Sequence, residues 1–250
     1  MKARFSCIPC FVKQAMNAIR LSTDDPALRQ RAMDEALARL RGADLSQSPA
    51  LLSHVVYAVA REVTGVRDPF AEAKRETNAA ALALLPALRR RIAAAPDPLR
   101  AAVKAALSGN IIDLGIGHRF DIERDVARMM DADLTVDDYG PFCERLAGAR
   151  RLLYCCDNSG EIAFDTLLIE RLRERAEVTA TVKSAPIIND ATMADAEAVG
   201  LTRLVRVIET GTDYIGVHWE ASSEEFRRAF QEADLVLAKG QGNFETLDSR

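Results

Sequence analysis

The 250-residue sequence contains no uninterrupted apolar stretch of about 18 residues, which is the length that a membrane-spanning helix requires. It also lacks a positively charged start followed by an apolar run, which would be typical of a secretory signal. We therefore expect neither secretion nor binding to a membrane, and we expect the protein to work in the cytoplasm.

A surplus of basic residues is also missing. Lysine and arginine together number 33 and aspartate and glutamate 37, which gives a formal net charge of -4. General nucleic-acid-binding proteins normally have a basic face and a high isoelectric point. We therefore expect a small molecule, and no nucleic acid, as the partner, while the sequence leaves the oligomeric state open.

Cysteines are few. The chain has five, and two of them, Cys155 and Cys156, are adjacent within an apolar run, so the pattern predicts reduced thiols and no disulfide framework. Cys7 and Cys10 have the CxxC spacing of redox or metal sites, but no second pair accompanies them. A partly buried pair at the start of a helix is the alternative interpretation.

A helical pattern extends to about residue 148, with apolar residues at spacings of three and four. It predicts helices near 7–20, 26–41, 49–64, 69–94 and 97–107. Asp68 and Pro69 suit the start of the fourth helix, and Pro86 should kink or divide it. We interpret residues 1–148 as a helical cap domain, which also contains the CxxC pair and the loop GNIID at 109–113.

From residue 149 onward, short apolar runs rich in strand-forming residues alternate with helical patterns. Four buried strands are predicted, near 151–156, 178–182, 204–208 and 235–238. One helix between them places Phe164, Leu167, Leu168 and Leu172 on a single face. This order predicts an α/β domain over residues 149–250, with a parallel sheet and right-handed crossovers.

Three polar clusters follow the predicted strands. The run DNSGE at 157–161 follows the first strand, KSAPIINDAT at 183–192 the second, and KGQGN at 239–243 the fourth. Ligands of such sheets bind beyond the carboxyl ends of the strands. We therefore expect the three clusters to lie together at one edge of the sheet and to form a site.

The oxygen-rich side chains of these clusters suit a hard divalent ion such as Mg²⁺ or Mn²⁺, and no His/Cys cluster with zinc spacing competes with them. Asp157, Asn158 and Asp190 are the best candidate ligands. Such an ion would polarise the oxygens of a substrate phosphate and orient or acidify the attacking water. Lys239 could hold the same phosphate, and backbone N–H groups of the 240–243 loop and of the helix near Gly160 would add donors.

Each of these residues also has an ordinary structural interpretation. Asp157 could cap the helix that follows it, Asn158 could be a turn residue, and Asn189 with Asp190 could cap the next helix. Lys239 could simply be solvated. The loop at 109–115 either folds over the site or caps the helical layer, and Asp213, after the third strand, either binds substrate or belongs to a turn.

The ordered motifs DNSGEIAFD at 157–165, VKSAPIINDAT at 182–192 and AKGQGNFE at 238–245 resemble those of the damage-control phosphatases. This family was first catalogued as domain of unknown function 89, and the chain is most similar to its prokaryotic branch. The resemblance extends over CIPC at 7–10, over DPF at 68–70 with Lys74 and Asn78, and over GNIID at 109–113.

The resemblance implies a helical domain packed on a Rossmann-like α/β domain. It implies a divalent metal, Mn, Co, Ni or Mg, held by Asp157, Asn158 and Asp190. The implied activity is metal-dependent hydrolysis of phosphate monoesters of small metabolites, such as damaged or surplus sugar phosphates or phosphopantetheine-type compounds. Lys239 matches the family lysine that contacts the phosphate, and the nucleophile is either metal-bound water or a carboxylate.

The candidate site residues fall into two groups. The catalytic candidates are Asp157, Asp190 and Lys239. The substrate-binding candidates are Lys239, Gly240, Asn243, Asn110, Asp113, Glu161 and Lys183.

The family pattern continues through another helix and strand after the Lys239 loop, whereas this sequence stops at Arg250, so we expect a fragment truncated at its C-terminus. Two other functions stay open. One is an S-adenosylmethionine-dependent carboxyl methyltransferase, although the absence of a glycine-rich loop after the first strand argues against it. The other is a non-catalytic sensor of phosphorylated metabolites.

Overall fold

The computed structural model describes residues 1–110 and 122–248. Asp113 and most of the GNIID loop therefore lie outside the described residues. The helices are α1 (Ile8–Ser22), α2 (Pro26–Arg41), α3 (Pro49–Thr64), α4 (Ala71–Ala94), α5 (Pro98–Ser108), α6 (Ile122–Asp131), α7 (Tyr139–Gly148), α8 (Glu161–Leu172), α9 (Met193–Ala198), α10 (Glu224–Glu232) and α11 (Gln241–Leu247). The strands are β1 (Arg151–Cys155), β2 (Glu177–Val182), β3 (Arg206–Glu209) and β4 (Leu235–Ala238).

Three of the N-terminal helices begin by the same local rule. The side chains of Asp25, Ser48 and Asp97 accept hydrogen bonds from backbone N–H groups in the first turns of α2, α3 and α5, and each is followed by a proline. Proline suits this position because its fixed φ is helical and an N–H there would have no partner within the helix. The predicted boundaries of these helices agree with the structure to within one residue.

The fourth helix differs from its prediction. Helix α4 begins at Ala71 and not at residue 69, because residues 69–70 form a turn. In this turn the Oδ1 atom of Asp68 accepts the N–H of Phe70 at 3.0 Å. Pro86 lies inside α4, which continues through it, so of the two predicted effects, a kink or a division, the division is wrong. The proline removes one helical hydrogen bond, but Leu85 and Leu88 are buried in one hydrophobic cluster and hold the helix together on both sides.

The sheet contains four parallel strands in the order β3-β2-β1-β4. In its register, Leu153 of β1 lies between Thr179 of β2 and Val236 of β4. The predicted α/β class, with a helical N-terminal region followed by a parallel sheet with interleaved helices, is confirmed. Strand β3 starts later than predicted because the preceding residues form a short 3₁₀ turn, Leu201–Arg203.

Helix α8 lies at the centre of the main hydrophobic core. Every residue from Glu161 to Ile169 is buried, so the helix is enclosed on all sides and not only on the predicted apolar face. It packs against α4 and α5 on one side, and β1 contributes Leu152 and Tyr154 to the same cluster. The helical layer and the sheet thus share one core, and the division into two domains at residue 148 stays a prediction.

Helices α1 to α3 form a second cluster that extends to the candidate site. Ile19 and Val56 pack there together with Ile187, which belongs to the loop after β2. This contact places α3 over the loop that carries Asp190.

Two further features concern the predicted environment of the chain. Within residues 1–110 and 122–248, no helix is long and apolar enough to cross a membrane. All five cysteines are free thiols, and Cys7 is partly buried while Cys10 is exposed at the start of α1.

Candidate active site

The loops after β1 and β2 bring Asp157, Asn158 and Asp190 together. Asn158 and Asp190 are paired in an isolated antiparallel bridge between the two loops. On either side, the N–H of Ser159 donates to the carbonyl oxygen of Asn189 at 2.8 Å, and the N–H of Ala191 donates to that of Asp157 at 2.8 Å. The two loops are therefore fixed to each other by their backbones.

Neither aspartate caps the helix that follows it. Helix α8 has Gly160 as its N-cap, without a side-chain capping bond. Helix α9 is capped by Thr192, whose side chain and backbone are bonded in a capping box with Asp195. The capping interpretations of Asp157 and Asp190 are therefore wrong.

The carboxylate of Asp157 lies against Gly240, the residue after Lys239. A Cβ atom at position 240 would lie 2.0 Å from the Oδ2 atom of Asp157, and the φ angle of Gly240 is +82°. Only glycine fits both restrictions. Asn158 donates from Nδ2 to the same oxygen at 3.0 Å.

The electrostatic environment of Asp157 opposes its negative charge. Burial, followed by the charges of Asp190 and Glu161, raises the pKa of Asp157 to about 8. The ammonium groups of Lys183 and Lys239 act in the opposite direction but do not compensate.

Asp190 is 1% exposed and lies beside a buried lysine. The Nζ atom of Lys183 is 3.6 Å from its Oδ2 atom and also donates to the carbonyl oxygen of Gly216. Burial and the charge of Asp190 raise the pKa of Tyr57, which α3 places over this loop. Ile188 has a φ of 40°, a strained value for a β-branched residue, two positions before Asp190.

Lys239 is 8% exposed, so its interpretation as a solvated side chain is wrong. Its ammonium donates to Glu161 Oε1 at 2.5 Å, to Asp165 Oδ1 at 2.8 Å and to the carbonyl oxygen of Ala106 at 3.1 Å. These bonds use all three of its N–H donors. A phosphate can therefore bind to Lys239 only by replacing one of them.

Lys239 and the neighbouring carboxylates shift each other's pKa values. Burial lowers the pKa of Lys239, but the carboxylates of Asp165 and Glu161 outweigh that effect and raise it. Burial raises the pKa of Asp165 to about 6, although Lys239 opposes it. Tyr154 donates its hydroxyl to the same Oδ1 atom of Asp165 at 2.7 Å.

The remaining candidates have more varied positions. Asn243 is buried and donates from Nδ2 to the carbonyl oxygens of Lys239 at 2.8 Å and Cys156 at 3.1 Å, so it fixes the end of β4 against β1. Asn110 is exposed just after α5. The N–H of Gly160 donates to Oδ1 of Asn78 at 2.6 Å, so it does not serve as the predicted anion donor.

Asp213 lies in the loop after β3 and connects this loop to the helical layer. Its carboxylate lies 2.7 Å from Nη1 of Arg61 and 3.2 Å from Nε2 of His54, both on α3. Burial raises its pKa, but the hydrogen bond from Arg61 and the charge of His54 outweigh this and lower it. Asp213 therefore holds α3 close to the carboxyl edge of the sheet.

The residues present fit a divalent metal ion with few protein ligands. Asp157, Asn158 and Asp190 offer two carboxylates and an amide oxygen, which is a typical set for Mg²⁺. The described ranges contain no group of three or more His, Cys, Asp or Glu side chains that could hold a metal, so any ion here would depend on this small set. Among the described residues, the buried atoms Glu161 Oε2 and Ser159 Oγ have no hydrogen-bond partner.

Comparisons with known proteins agree over nearly the whole chain. A family model described as the damage-control phosphatase ARMT1-like domain matches residues 4–250. The chain is 37% identical over 252 residues to damage-control phosphatase PH1575 of Pyrococcus horikoshii, in an alignment covering 99% of this chain and 86% of the relative. It is 34% identical over 256 residues to a damage-control phosphatase of Archaeoglobus fulgidus, covering 99% and 88%.

A solved structure extends this similarity to three dimensions. The crystal structure of the Pyrococcus horikoshii protein, described as a DUF89 family protein, matches with a TM-score of 0.93 at 37% identity. The match covers 100% of this chain and 88% of that chain.

Proposed function

The chain belongs to the damage-control phosphatase ARMT1-like family, and from that premise we propose that it hydrolyses phosphate monoesters of small metabolites with a divalent metal ion held by Asp157, Asn158 and Asp190. The substrates we propose are damaged or surplus sugar phosphates or phosphopantetheine-type compounds. The metals we propose are Mn²⁺, Co²⁺, Ni²⁺ and Mg²⁺.

The observation that carries the proposal is the surplus of buried carboxyl groups over buried ammonium groups around Asp157. Four carboxylates, those of Asp157, Glu161, Asp165 and Asp190, share this part of the core with the ammonium groups of Lys183 and Lys239. Two carboxylates are therefore in excess of the lysines. A divalent cation held by Asp157, Asn158 and Asp190 would balance these carboxyl groups in their ionised form, which would account for the retention of buried acids at such a cost in stability.

The protein's own residues divide the remaining work. A bound ion would supply a Lewis acid for the phosphoryl oxygens. Lys183 holds Asp190 in place, and Asn158 orients Asp157 through the bond from its Nδ2 atom. Lys239 provides a buried positive charge for the phosphate, while Glu161 and Asp165 keep that charge at the carboxyl edge of β4.

The test is a phosphate-release assay on the full chain after removal of metal with a chelator. Each of the four metals is added in turn to a panel of sugar phosphates and phosphopantetheine-type compounds. We expect phosphate release only when metal is present. A chain that remains folded but releases no phosphate with any metal would overturn the proposal, and tight binding of a substrate without release would identify a sensor.

Two matched variants connect the assay to the site. Asp157→Asn keeps the size of the side chain but removes its charge. We expect the rate of phosphate release to fall by at least about 100-fold, because a bound metal ion contributes several kcal/mol to the stabilisation of the transition state. Asp133→Asn makes the same change at an exposed position and should keep the wild-type rate.

A further inference from the structure

We propose that Asn78 is a positioning residue, which acts together with Asp195 to set the spacing between the two loops that carry the metal ligands. The inference rests on the proposed metal site, but it concerns residues outside the ligand set. Asn78 lies on α4, in the helical layer, and is 5% exposed.

The side-chain amide of Asn78 is bonded to the loop after β1 directly and to the loop after β2 through Asp195 of α9. Its Oδ1 atom accepts the N–H of Gly160 at 2.6 Å, and its Nδ2 atom donates to Oδ1 of Asp195 at 2.8 Å. Both hydrogen bonds are buried. Gly160 comes two residues after Asn158, so the first bond holds the loop after β1 by its backbone.

Asp195 completes the connection on the other side. Its Oδ2 atom accepts the N–H of Thr192 at 2.9 Å and the hydroxyl of Thr192 at 2.7 Å. Thr192 comes two residues after Asp190, so this pair holds the loop after β2. Lys74, one turn before Asn78 on α4, lies 3.3 Å from the same oxygen of Asp195 and 3.1 Å from Oδ2 of Asp68, so its charge is shared between these two carboxylates.

The geometry of these contacts requires an amide group at position 78. Asn78 must accept one hydrogen bond and donate another within a single planar group, and both of its partners are fixed by the loops. The backbone bridge between Asn158 and Asp190 joins the loops at the ligands. The connection through Asn78 and Asp195 joins them again just after the ligands, and together the two connections leave little freedom in the distance between Asp157 and Asp190.

An exchange of the two side chains tests this arrangement. Asn78→Asp still accepts from Gly160 but places a carboxylate against Asp195, so we expect the affinity for Mn²⁺, measured by calorimetry on the folded protein, to fall about 10- to 100-fold, as for other residues that orient metal ligands. The single change Asp195→Asn removes the acceptor of Nδ2 and should have the same effect. The double variant Asn78→Asp with Asp195→Asn reverses the direction of the bond, retains the bond to each loop, and should restore wild-type affinity.

Thr77→Val is the matched control. Thr77 is a buried neighbour on α4, and within residues 1–110 and 122–248 its hydroxyl bonds only to carbonyl oxygens of the same helix, at 3.0 Å. This variant should lower the melting temperature in chelator without changing the affinity for Mn²⁺. A purely structural role for Asn78 would give the same result as for Thr77.

The outcomes separate this inference from the proposed function. Wild-type affinity in either single variant, or a double variant as weak as the single variants, would overturn the positioning role while the metal site stands. If Asn78→Asp does not fold, Asp195→Asn and the double variant decide by the same criteria. A wild-type chain that binds none of the four metals would instead overturn the proposed function, and the inference with it.

Discussion

Replacing Asp157 by asparagine should make the metal-free protein more stable, although it removes a proposed metal ligand. Burial and the charges of Asp190 and Glu161 raise the pKa of this carboxyl group from 3.8 to about 8. Asparagine has almost the same shape, and it can still accept a hydrogen bond from Asn158. It has no charge to bury, so the main electrostatic cost at this position disappears.

The size of the gain depends on pH. Between pH 3.8 and about 8 the carboxyl group is ionised in the unfolded chain but protonated in the folded protein. The contribution of Asp157 to the free energy of unfolding therefore falls as the pH rises through this range and is constant above it. At about 1.4 kcal/mol for each pH unit, the cost is at most about 5 kcal/mol at pH 8 and about 2 kcal/mol at pH 5.

The assay is thermal unfolding in chelator from pH 5 to pH 8. If relaxation of the site removes half of the cost, the variant should melt about 5 to 10 °C above the wild type at pH 8, since each kcal/mol shifts the melting temperature of a chain of this size by about 2 to 4 °C. The difference should shrink towards pH 5. Mn²⁺ at 100 times its dissociation constant should stabilise the wild type by about 2.7 kcal/mol and leave the variant unchanged.

Two results would refute this reasoning. One is a variant that melts below the wild type at pH 8 without metal. The other is a difference in melting temperature that does not change between pH 5 and pH 8, because only the titration of Asp157 makes it depend on pH. Asp133→Asn, at an exposed position, should show no difference at any pH.

Three further substitutions test neighbouring contacts. Gly240→Ala places a Cβ atom 2.0 Å from Oδ2 of Asp157 at a φ of +82°, so calorimetry should find no binding of Mn²⁺, and wild-type affinity would contradict the close approach. Tyr154→Phe removes the hydroxyl bonded to the buried carboxylate of Asp165, and urea titration should show a loss of about 1 to 3 kcal/mol in the free energy of unfolding. Lys239→Met leaves two buried carboxylates without their cation and should cost about 3 to 5 kcal/mol by the same measurement; a smaller loss than for Tyr154→Phe would contradict the charge cluster.

Much of the fold was predictable because it follows local rules. Apolar runs separated by helical patterns predicted the four strands and their parallel direction, and a polar residue followed by proline is found at the start of three of the predicted helices. The rule that parallel strands present their carboxyl ends at one edge then predicted that the loops carrying Asp157 and Asp190 meet, and the bridge between Asn158 and Asp190 joins these two loops. The family resemblance drawn from the ordered motifs is likewise confirmed.

The contacts that the sequence did not predict join residues far apart in the chain. Asn78 and Gly160 are 82 positions apart, and their bond exists only because α4 docks on the start of α8. The family resemblance includes Asn78, but nothing in the local pattern predicts which residues its side chain contacts. Lys239 was equally open to a solvated interpretation, because its burial depends on Glu161 and Asp165 from another element.

The fold holds Asp157 and Asp190 together before any metal binds. Their repulsion is opposed by the backbone bonds between the two loops and by the side-chain connection through Asn78. The cost of bringing the carboxylates together is therefore part of folding and not of binding, as preorganisation requires. In such a site, a substitution that relieves the repulsion, as at Asp157, raises the stability of the metal-free protein and lowers its affinity for metal. A substitution that loosens the loops, as at Asn78, lowers both quantities, so measuring the two together distinguishes a metal ligand from a residue that positions it.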